Sequence, residues 1–254
     1  MENYSLITGA SRGIGRAIAL ALAKEGRNLI LTADKDRQGL SETLSQVKKT
    51  YRSDFGTVPA SYMRCLTFLC DVSDSEMVDY LYEELSKEGC RVDVLINNAG
   101  ISCFELVQDM TDEEWHRVMG VNMDGAFYMC RRFIPDMIRA KKGSIINISS
   151  YWGMAGSSME SAYCASKGAL NAFTLSLAKE LKESHIRANA IACEFINTQM
   201  NAFLSEEEAR EAAARMPSGR IIEPSEIGEM AAELLREDCS LTGKIINMEK
   251  EPWN

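Results

Sequence analysis

The 254-residue sequence has no apolar segment long enough to cross a membrane. Its longest wholly apolar stretch, residues 17–23, is far shorter than the ~20 residues that a transmembrane helix needs. The N-terminal residues also lack the basic region and apolar core that are typical of a signal peptide. We therefore expect no membrane partner and a cytoplasmic location.

Positive charge is in deficit as well. The chain has 28 lysine and arginine residues against 37 aspartate and glutamate residues, which gives a formal net charge of -9 at pH 7. No run of basic residues is interleaved with aromatic side chains. A surface with this charge repels the phosphate backbone of nucleic acids, so we expect no nucleic-acid partner.

Motifs for metal binding are missing too. The two histidines, His116 and His185, lie far apart, and no Cys-x-x-Cys pair occurs. Zinc sites usually show short, regular ligand spacings, so the sequence predicts no metal site. The eight cysteines lie mostly inside apolar runs of a large chain, and we expect them to be reduced core residues.

Features that would divide the chain into domains are rare. The five prolines are scattered, and no internal repeat occurs at a fixed period. With 46% hydrophobic residues, the chain can fill one large core. We therefore predict a single domain over residues 1–254.

Short apolar runs rich in branched residues alternate with longer segments of helical period. The runs predicted as strands are 4–8, 29–32, 66–69, 92–96, 144–148, 186–192 and 244–248. The segments predicted as helices are 14–25, 38–50, 75–87, 112–139 with an interruption near Gly120, and 162–182. This alternation predicts a Rossmann-like, doubly wound α/β fold, with a mostly parallel seven-stranded sheet and helices on both faces.

Two predicted loops are longer than the ~2 to 6 residues that are usual in such folds. One surrounds residues 52–64 and the other spans residues 197–223. The second follows the carboxyl end of a predicted strand, which is where ligands bind in open α/β sheets. We expect it to cover a substrate.

The segment between the first predicted strand and the first predicted helix is rich in glycine. Gly9, Gly13 and Gly15 stand where the backbone has to turn tightly and approach a pyrophosphate at a helix N-terminus. A plain glycine turn without a ligand is the alternative.

Tyr163 and Lys167 are four residues apart and therefore share one face of a predicted helix. The ammonium group can favour tyrosinate and lower the pKa of the phenol, which would suit a general acid-base catalyst. Taken alone, the two residues would be interpreted as a surface pair.

Several motifs occur together and in one order. They are Thr-Gly-x-x-x-Gly-x-Gly at residues 8–15, Asn-Asn-Ala-Gly at residues 97–100, Ser150, and Tyr-x-x-x-Lys from Tyr163 to Lys167. This combination resembles the short-chain dehydrogenase/reductase family, from the first strand to about residue 200 and more loosely beyond.

The resemblance implies an NAD(P)H-dependent oxidoreductase that reduces a ketone to a secondary alcohol, reversibly. Members that act on 3-oxoacyl groups of an acyl carrier protein are the nearest analogy, and sugar, polyol and steroid carbonyls remain open. It also implies a homo-oligomer, either a tetramer or a dimer. The rival hypothesis is a non-catalytic dinucleotide-binding protein with a sensing or scaffold role.

The family pattern assigns catalytic roles to four residues. Ser150 lies thirteen residues before Tyr163 and would hold the substrate oxygen, whereas Ser149 would be a loop-capping serine. Tyr163 would give its proton to the ketone, and Lys167 would bind the nicotinamide ribose. Asn122 would anchor a water that leads a proton to the lysine, or would simply mark a helix kink.

The same pattern assigns a cofactor site. Asp71 would lie at the adenine ring, although an aspartate before a helix is also a common N-cap. The family pattern implies cofactor binding by Gly9, Ser11, Arg12, Gly13, Ile14, Gly15, Asp71, Val72, Asn98, Ala99, Gly100, Tyr163, Lys167, Ile196 and Thr198.

The choice between NAD and NADP depends on charge near the ribose 2′ position. Arg12 resembles the basic residue of NADP-preferring members, and Ala33 stands where NAD-preferring members carry an acid. Asp34 follows at once, with Lys35 and Arg37 nearby. We favour NADPH, with NADH possible.

The chain departs from the family pattern after the sixth strand, where Cys193 and Glu194 replace the usual Pro-Gly. The change can reshape the wall beside the nicotinamide. Side chains expected to select the substrate, or else to belong to the core, are Trp152, Met154, Met159, Met200 and Phe203.

Overall fold

The computed structural model of the chain describes residues 2–55, 63–202 and 204–248. Seven strands form one sheet, in which all neighbouring strands pair in parallel in the order β3-β2-β1-β4-β5-β6-β7. The strands are β1 (Glu2–Ile7), β2 (Leu29–Ala33), β3 (Cys65–Leu69), β4 (Cys90–Asn97), β5 (Gly143–Ser150), β6 (Ile186–Cys193) and β7 (Ile245–Ile246). The predicted seven-stranded α/β fold is confirmed.

Helices cover both faces of this sheet. The α-helices are α1 (Gly13–Lys24), α2 (Arg37–Phe55), α3 (Ser75–Lys87), α4 (Asp112–Met119), α5 (Gly125–Ala140), α6 (Trp152–Ala155), α7 (Ser161–Glu180), α8 (Glu206–Ala214) and α9 (Pro224–Leu234). One face packs against α1, α2 and α9, and the other against α3, α5 and α7. Neighbouring strand residues such as Leu6 and Ile7 therefore enter opposite cores, which explains why the strands are continuously apolar.

The predicted loop over residues 197–223 is partly helical, which corrects the interpretation of this segment. It contains α8, whose start carries a capping box between Ser205 and Glu208. The Ser-x-x-Glu spacing is a local signal that could have predicted this helix. Helix α9 was also missed. Its N-terminal Pro224 is a common start residue, and it packs against α1.

Other element boundaries differ less. β7 comprises two residues of the predicted strand 244–248, and α2 continues past the predicted end at residue 50. The rest of the predicted loop 52–64 lies partly outside the described residues. The predicted interruption near Gly120 is confirmed, because a π-helical turn, Gly120–Asp124, separates α4 from α5.

The strand order places a crevice between β1 and β4. From β1 the chain runs outward through β2 to β3, and then returns to the other side of β1 with β4. Ligands of open α/β sheets bind at such a reversal, outside the carboxyl ends of the strands. The glycine-rich turn follows β1, and residues 98–100 follow β4, so both segments border this crevice.

All eight cysteines are free thiols. Within the described ranges, no helix is both long and apolar enough to span a bilayer. The same ranges contain no group of three or more histidine, cysteine, aspartate or glutamate side chains placed to hold a metal ion.

Candidate active site

A cavity of about 1610 Å³ opens at the carboxyl ends of the strands. The glycine-rich turn and the proposed catalytic residues line the same space. The predicted site residues in its wall are Gly9, Ser11, Arg12, Gly13, Ile14, Asp71, Val72, Asn98, Ala99, Gly100, Ser150, Tyr163, Lys167, Ile196 and Thr198. The other two predicted site residues, Gly15 and Asn122, do not line the cavity. They contact residues that do: Gly15 packs against Gly9 and Asn98, and Asn122 is hydrogen-bonded to Ile101.

Two positions of the turn after β1, Gly9 and Gly15, have no room for a side chain. Gly9 has a φ of +63°, and a Cβ there would lie 2.9 Å from the Cα of Ala99. A Cβ at Gly15 would lie 2.6 Å from Nδ2 of Asn98. In the described part of the chain, no side chain caps the N-terminus of α1, so its first N–H groups are available to an anion. These residues fit the pyrophosphate of a dinucleotide.

Asn98 ties this turn to the end of β4. Its Nδ2 donates to the carbonyl oxygens of Thr8 and Gly9 at 2.8 and 3.0 Å. In return, the Thr8 hydroxyl oxygen accepts from the backbone N–H groups of Asn98 and Ala99, both at 3.0 Å. The two segments that border the crevice are therefore held in one rigid arrangement.

Tyr163 and Lys167 meet at the floor of the cavity. Nζ of Lys167 lies 5.7 Å from the centre of the Tyr163 ring, and it donates to the carbonyl oxygen of Ile148 at 2.8 Å. Lys167 is only 4% exposed. The surface-pair interpretation is therefore wrong, because a buried ammonium group beside a phenol is not a solvated pair.

Burial controls the proton equilibria of these two side chains. It lowers the pKa of Lys167 to about 8, because the apolar surroundings disfavour the ammonium form. It raises the pKa of the Tyr163 phenol, and this effect exceeds the lowering by hydrogen bonding to Ser150. The phenol pKa is thus raised overall, and the expectation of a net lowering is corrected. The phenol carries its proton at neutral pH and can donate it.

The two serines at the end of β5 make different hydrogen bonds. The Ser149 hydroxyl donates to the carbonyl oxygen of Lys167 at 3.3 Å, on the α7 side of the sheet. Ser150 Oγ accepts from the backbone N–H of Trp152 at 3.2 Å. The loop-capping serine is therefore Ser150, which also lines the cavity, and the prediction of Ser149 for this part was wrong.

Asn122 is buried within the π-helical turn. Its Oδ1 accepts from the N–H of Ile101 at 2.8 Å, and its Nδ2 donates to the carbonyl of Ile101 and to Oγ of Ser166, both at 2.9 Å. The side chain thus joins the segment after β4 to α7. A mere kink marker would not need these three bonds.

Asp71 is not a helix cap. Its Oδ1 accepts from the backbone N–H and the hydroxyl of Ser73, at 2.9 and 2.6 Å, whereas α3 is capped by Asp74. The N-cap interpretation is therefore wrong. Asp71 closes a tight turn at the cavity wall.

Two acidic residues of the site, Asp36 and Glu160, escaped the sequence analysis, whereas Glu194 was singled out there as a departure from the family pattern. Asp36 lies at the N-terminus of α2 and pairs with Arg12. Glu160 is 8% exposed and accepts from the Ser102 hydroxyl at 3.0 Å. Glu194 accepts from the backbone N–H of Ser218 at 2.9 Å and so joins β6 to the segment after α8. The N-cap signal before α2 could have identified Asp36, but buried acids have no local sequence pattern.

The predicted substrate-selecting side chains divide into three groups. Trp152 and Met200 line the cavity. Met154 and Met159 are about half exposed, so a core role is wrong for them. Phe203 lies outside the described residues.

Comparison with known proteins agrees with this geometry. The family model described as short chain dehydrogenase matches residues 3–209. The chain belongs to this family. It is 33% identical to 3-oxoacyl-[acyl-carrier-protein] reductase FabG of Thermotoga maritima over 245 residues, which cover 96% of this chain and 95% of that protein. It is equally similar to the reductase of the same name from Chlamydia trachomatis serovar D, over 98% and 96% of the two chains.

A third relative is named only as an oxidoreductase. It is the uncharacterized oxidoreductase YmfI of Bacillus subtilis, which is 34% identical over 252 residues and 98% of both chains. As a short-chain dehydrogenase, the chain is an oxidoreductase that uses a nicotinamide dinucleotide.

Proposed function

We propose that the chain is an NADPH-dependent carbonyl reductase that also oxidises the corresponding secondary alcohol. The observation that carries this proposal is the 5.7 Å approach of the Lys167 ammonium to the Tyr163 ring in a cavity that also contains the glycine-rich turn. The reductases named for 3-oxoacyl-[acyl-carrier-protein] support a 3-oxoacyl thioester as the first substrate to test.

The chemistry follows from the proton states of the site. When bound, the nicotinamide supplies a hydride to the carbonyl carbon. Tyr163 donates its phenolic proton to the carbonyl oxygen, so one O–H bond breaks on the tyrosine and one forms on the product. The Ser150 hydroxyl holds the same oxygen, and the charge of Lys167 stabilises the phenolate that remains. Lys167 then passes a proton to the Tyr163 phenolate, and a water that Asn122 anchors returns a proton to the lysine.

The cofactor would lie along the crevice. The N–H groups at the start of α1 would bind the pyrophosphate, with Ser11 and Ile14 in the same turn. Asp71 and Val72 would hold the adenine, and residues 98–100 would hold its ribose. Ile196 and Thr198 would bind the nicotinamide carboxamide. Arg12, whose side chain is 61% exposed, would bind a ribose 2′-phosphate and so favour NADPH.

One observation favours a non-catalytic dinucleotide-binding protein instead. Glu194 is buried and bonded to Ser218, where relatives usually carry a glycine. A carboxylate in this wall can alter the space beside the nicotinamide without affecting the glycine-rich turn.

Substitution of Tyr163 by phenylalanine tests the catalytic proposal. The variant keeps the ring but loses the proton, so we expect turnover to fall by about 10²-fold or more. The assay follows NADPH oxidation with a panel of ketones that includes a 3-oxoacyl thioester. NADPH affinity should stay within about twofold, because the phenol is a minor part of the binding surface. Full turnover in the variant contradicts the mechanism, and NADPH binding without reduction of any ketone by the wild type favours the non-catalytic alternative.

The chain is also proposed to form a homo-oligomer, a tetramer or a dimer. Phe127, Ile138 and Leu175 on α5 and α7 are each about two-fifths exposed. Large apolar side chains grouped on neighbouring helices are typical of a surface that a second copy covers.

A further inference from the structure

Glu160 is a buried acid in the cavity wall that the proposed mechanism does not use. The residue is only 8% exposed, and it lines the same cavity as Tyr163. Its Oε1 accepts from the Ser102 hydroxyl at 3.0 Å. Although Glu160 directly precedes α7, its side chain makes no hydrogen bond to the start of that helix. The carboxyl group is therefore not a helix cap.

This carboxyl group has fewer partners than buried acids usually have. Within the described ranges, no basic side chain forms an ion pair with it, although Arg117 lines the same cavity. Its Oε2 accepts no hydrogen bond from the described part of the chain, and it is not one of the fully enclosed polar atoms without a partner. This oxygen is therefore accessible from the cavity.

Glu160 lies close to the residue that donates the proton. Side chains three positions apart at the start of a helix share one face, so Glu160 and Tyr163 are neighbours. Burial is the largest cause of the raised pKa of the Tyr163 phenol, and the charge of Glu160 adds to the rise. A carbonyl oxygen held by Tyr163 and Ser150 would bring the next carbon of the substrate toward the free oxygen of Glu160.

We propose that Glu160 is a specificity residue, whose free oxygen accepts a hydrogen bond from a donor on the carbon next to the carbonyl group of the substrate. The inference rests on the proposed ketone reduction and narrows its substrate class to ketones with a hydroxyl or ammonium group at that carbon. A substrate with an alkyl group or an acceptor there would desolvate the carboxylate without replacing its water, which is unfavourable.

Three small ketones of similar size test this proposal. Hydroxyacetone carries a hydroxyl group, aminoacetone an ammonium group at neutral pH, and butan-2-one a methyl group at the same position. With the full chain and NADPH, we expect kcat/KM for each of the first two to exceed that for butan-2-one by about tenfold or more. A 3-oxoacyl thioester, which has no donor beside its ketone, should resemble butan-2-one. Equal values for the three small ketones overturn the inference.

The substitution Glu160→Gln separates the charge of this side chain from its bond to Ser102. Glutamine still accepts from the Ser102 hydroxyl but carries no charge. Relative to butan-2-one, kcat/KM for aminoacetone should fall about tenfold and that for hydroxyacetone less than about threefold, because an ammonium group loses an ionic partner. A larger loss for hydroxyacetone than for aminoacetone supports the proposal with a hydroxyl as the donor. The same loss for all three ketones overturns it, because Glu160 would then act only through the structure or through Tyr163.

Glu105→Gln is the matched control. Glu105 forms a short parallel bridge with Glu160 but is not part of the cavity wall. The control makes the same change in net charge, so the ratios among the three ketones should stay within about twofold of the wild-type values. Melting temperatures of both variants check folding. An equal change of the ratios in both variants overturns the inference, because general charge would then be responsible.

The same assay distinguishes failure of this inference from failure of the proposed function. If the wild type reduces none of the three ketones and no 3-oxoacyl thioester, the proposed function itself fails. If it reduces butan-2-one or the thioester at least as well as the two ketones with a donor, only the role of Glu160 is overturned.

Discussion

Lys167 keeps its ammonium group where water is largely excluded, with the carbonyl oxygen of Ile148 as its hydrogen-bond acceptor. Burial lowers its pKa from 10.5 to about 8. Between these two values, the unfolded chain binds more protons than the folded chain. The free energy of unfolding therefore rises with pH across this window, and the gain is lost as the pH falls through about 8.

Replacement of Lys167 by methionine removes this titration while keeping a long side chain. Between about pH 7 and about pH 10, the wild type should gain roughly 2 kcal/mol of unfolding free energy relative to the variant. Denaturant unfolding at both pH values measures the difference. Lys179→Met, at an exposed position on the same helix, is the control. Its unfolding free energy should change between the two pH values as much as that of the wild type. The same change in Lys167→Met as in the wild type would contradict the prediction.

At the scale of elements, the π-helical turn between α4 and α5 is the joint that organises the site. It turns Asn122 toward the segment after β4 and toward α7, the helix that carries Tyr163 and Lys167. Gly100 packs in the same joint, because a Cβ there would lie 3.3 Å from both Oδ1 of Asn122 and Nζ of Lys167. The side-chain amide of Asn122 therefore holds the π-helical turn, the segment after β4 and α7 together.

Loss of that amide should be costly. Asn122→Ala leaves the backbone polar groups of Ile101 without their partner, so we expect about 2 kcal/mol of lost stability. The control is Asn171→Ala on α7, where a buried amide makes no hydrogen bond with any described residue. The stability that Asn171→Ala loses, measured by thermal unfolding, should be clearly smaller than that lost by Asn122→Ala. Equal losses would mean that side-chain volume, and not hydrogen bonding, determines both values.

At the scale of the whole molecule, two apolar cores sandwich the sheet, and Phe127, Ile138 and Leu175 lie partly exposed on a surface that α5 and α7 share. Arg131 lies over the ring of Phe127 on this surface, with its guanidinium 5.1 Å from the ring centre.

Light scattering should therefore give a mass that is two or four times the 28.3 kDa of one chain. Leu175→Glu places a charge on the shared surface and should shift the protein to a smaller species, because a buried unpaired charge is unfavourable. Val107→Glu is the control, since Val107 is 71% exposed on a loop outside this surface. A wild-type mass of one chain at all concentrations would refute the proposed oligomer.

Local patterns in the sequence were enough to predict the strand-helix alternation and the glycine-rich turn. They were also enough to place Tyr163 and Lys167 on one face of a helix. Each is a matter of short-range periodicity or backbone freedom, which neighbouring residues determine by themselves. The same reasoning extends to the Ser-x-x-Glu start of α8, a signal that was present and overlooked.

Only the tertiary structure decided the burial of Lys167, the capping role of Ser150 and the pairing of Arg12 with Asp36. A pKa depends on how much water reaches the group, and water is excluded by segments that are distant in sequence. Arg12 and Asp36 are 24 residues apart and meet because β1 and β2 lie side by side in the sheet. Contacts of this kind have no local pattern, because they arise from the packing of the whole chain.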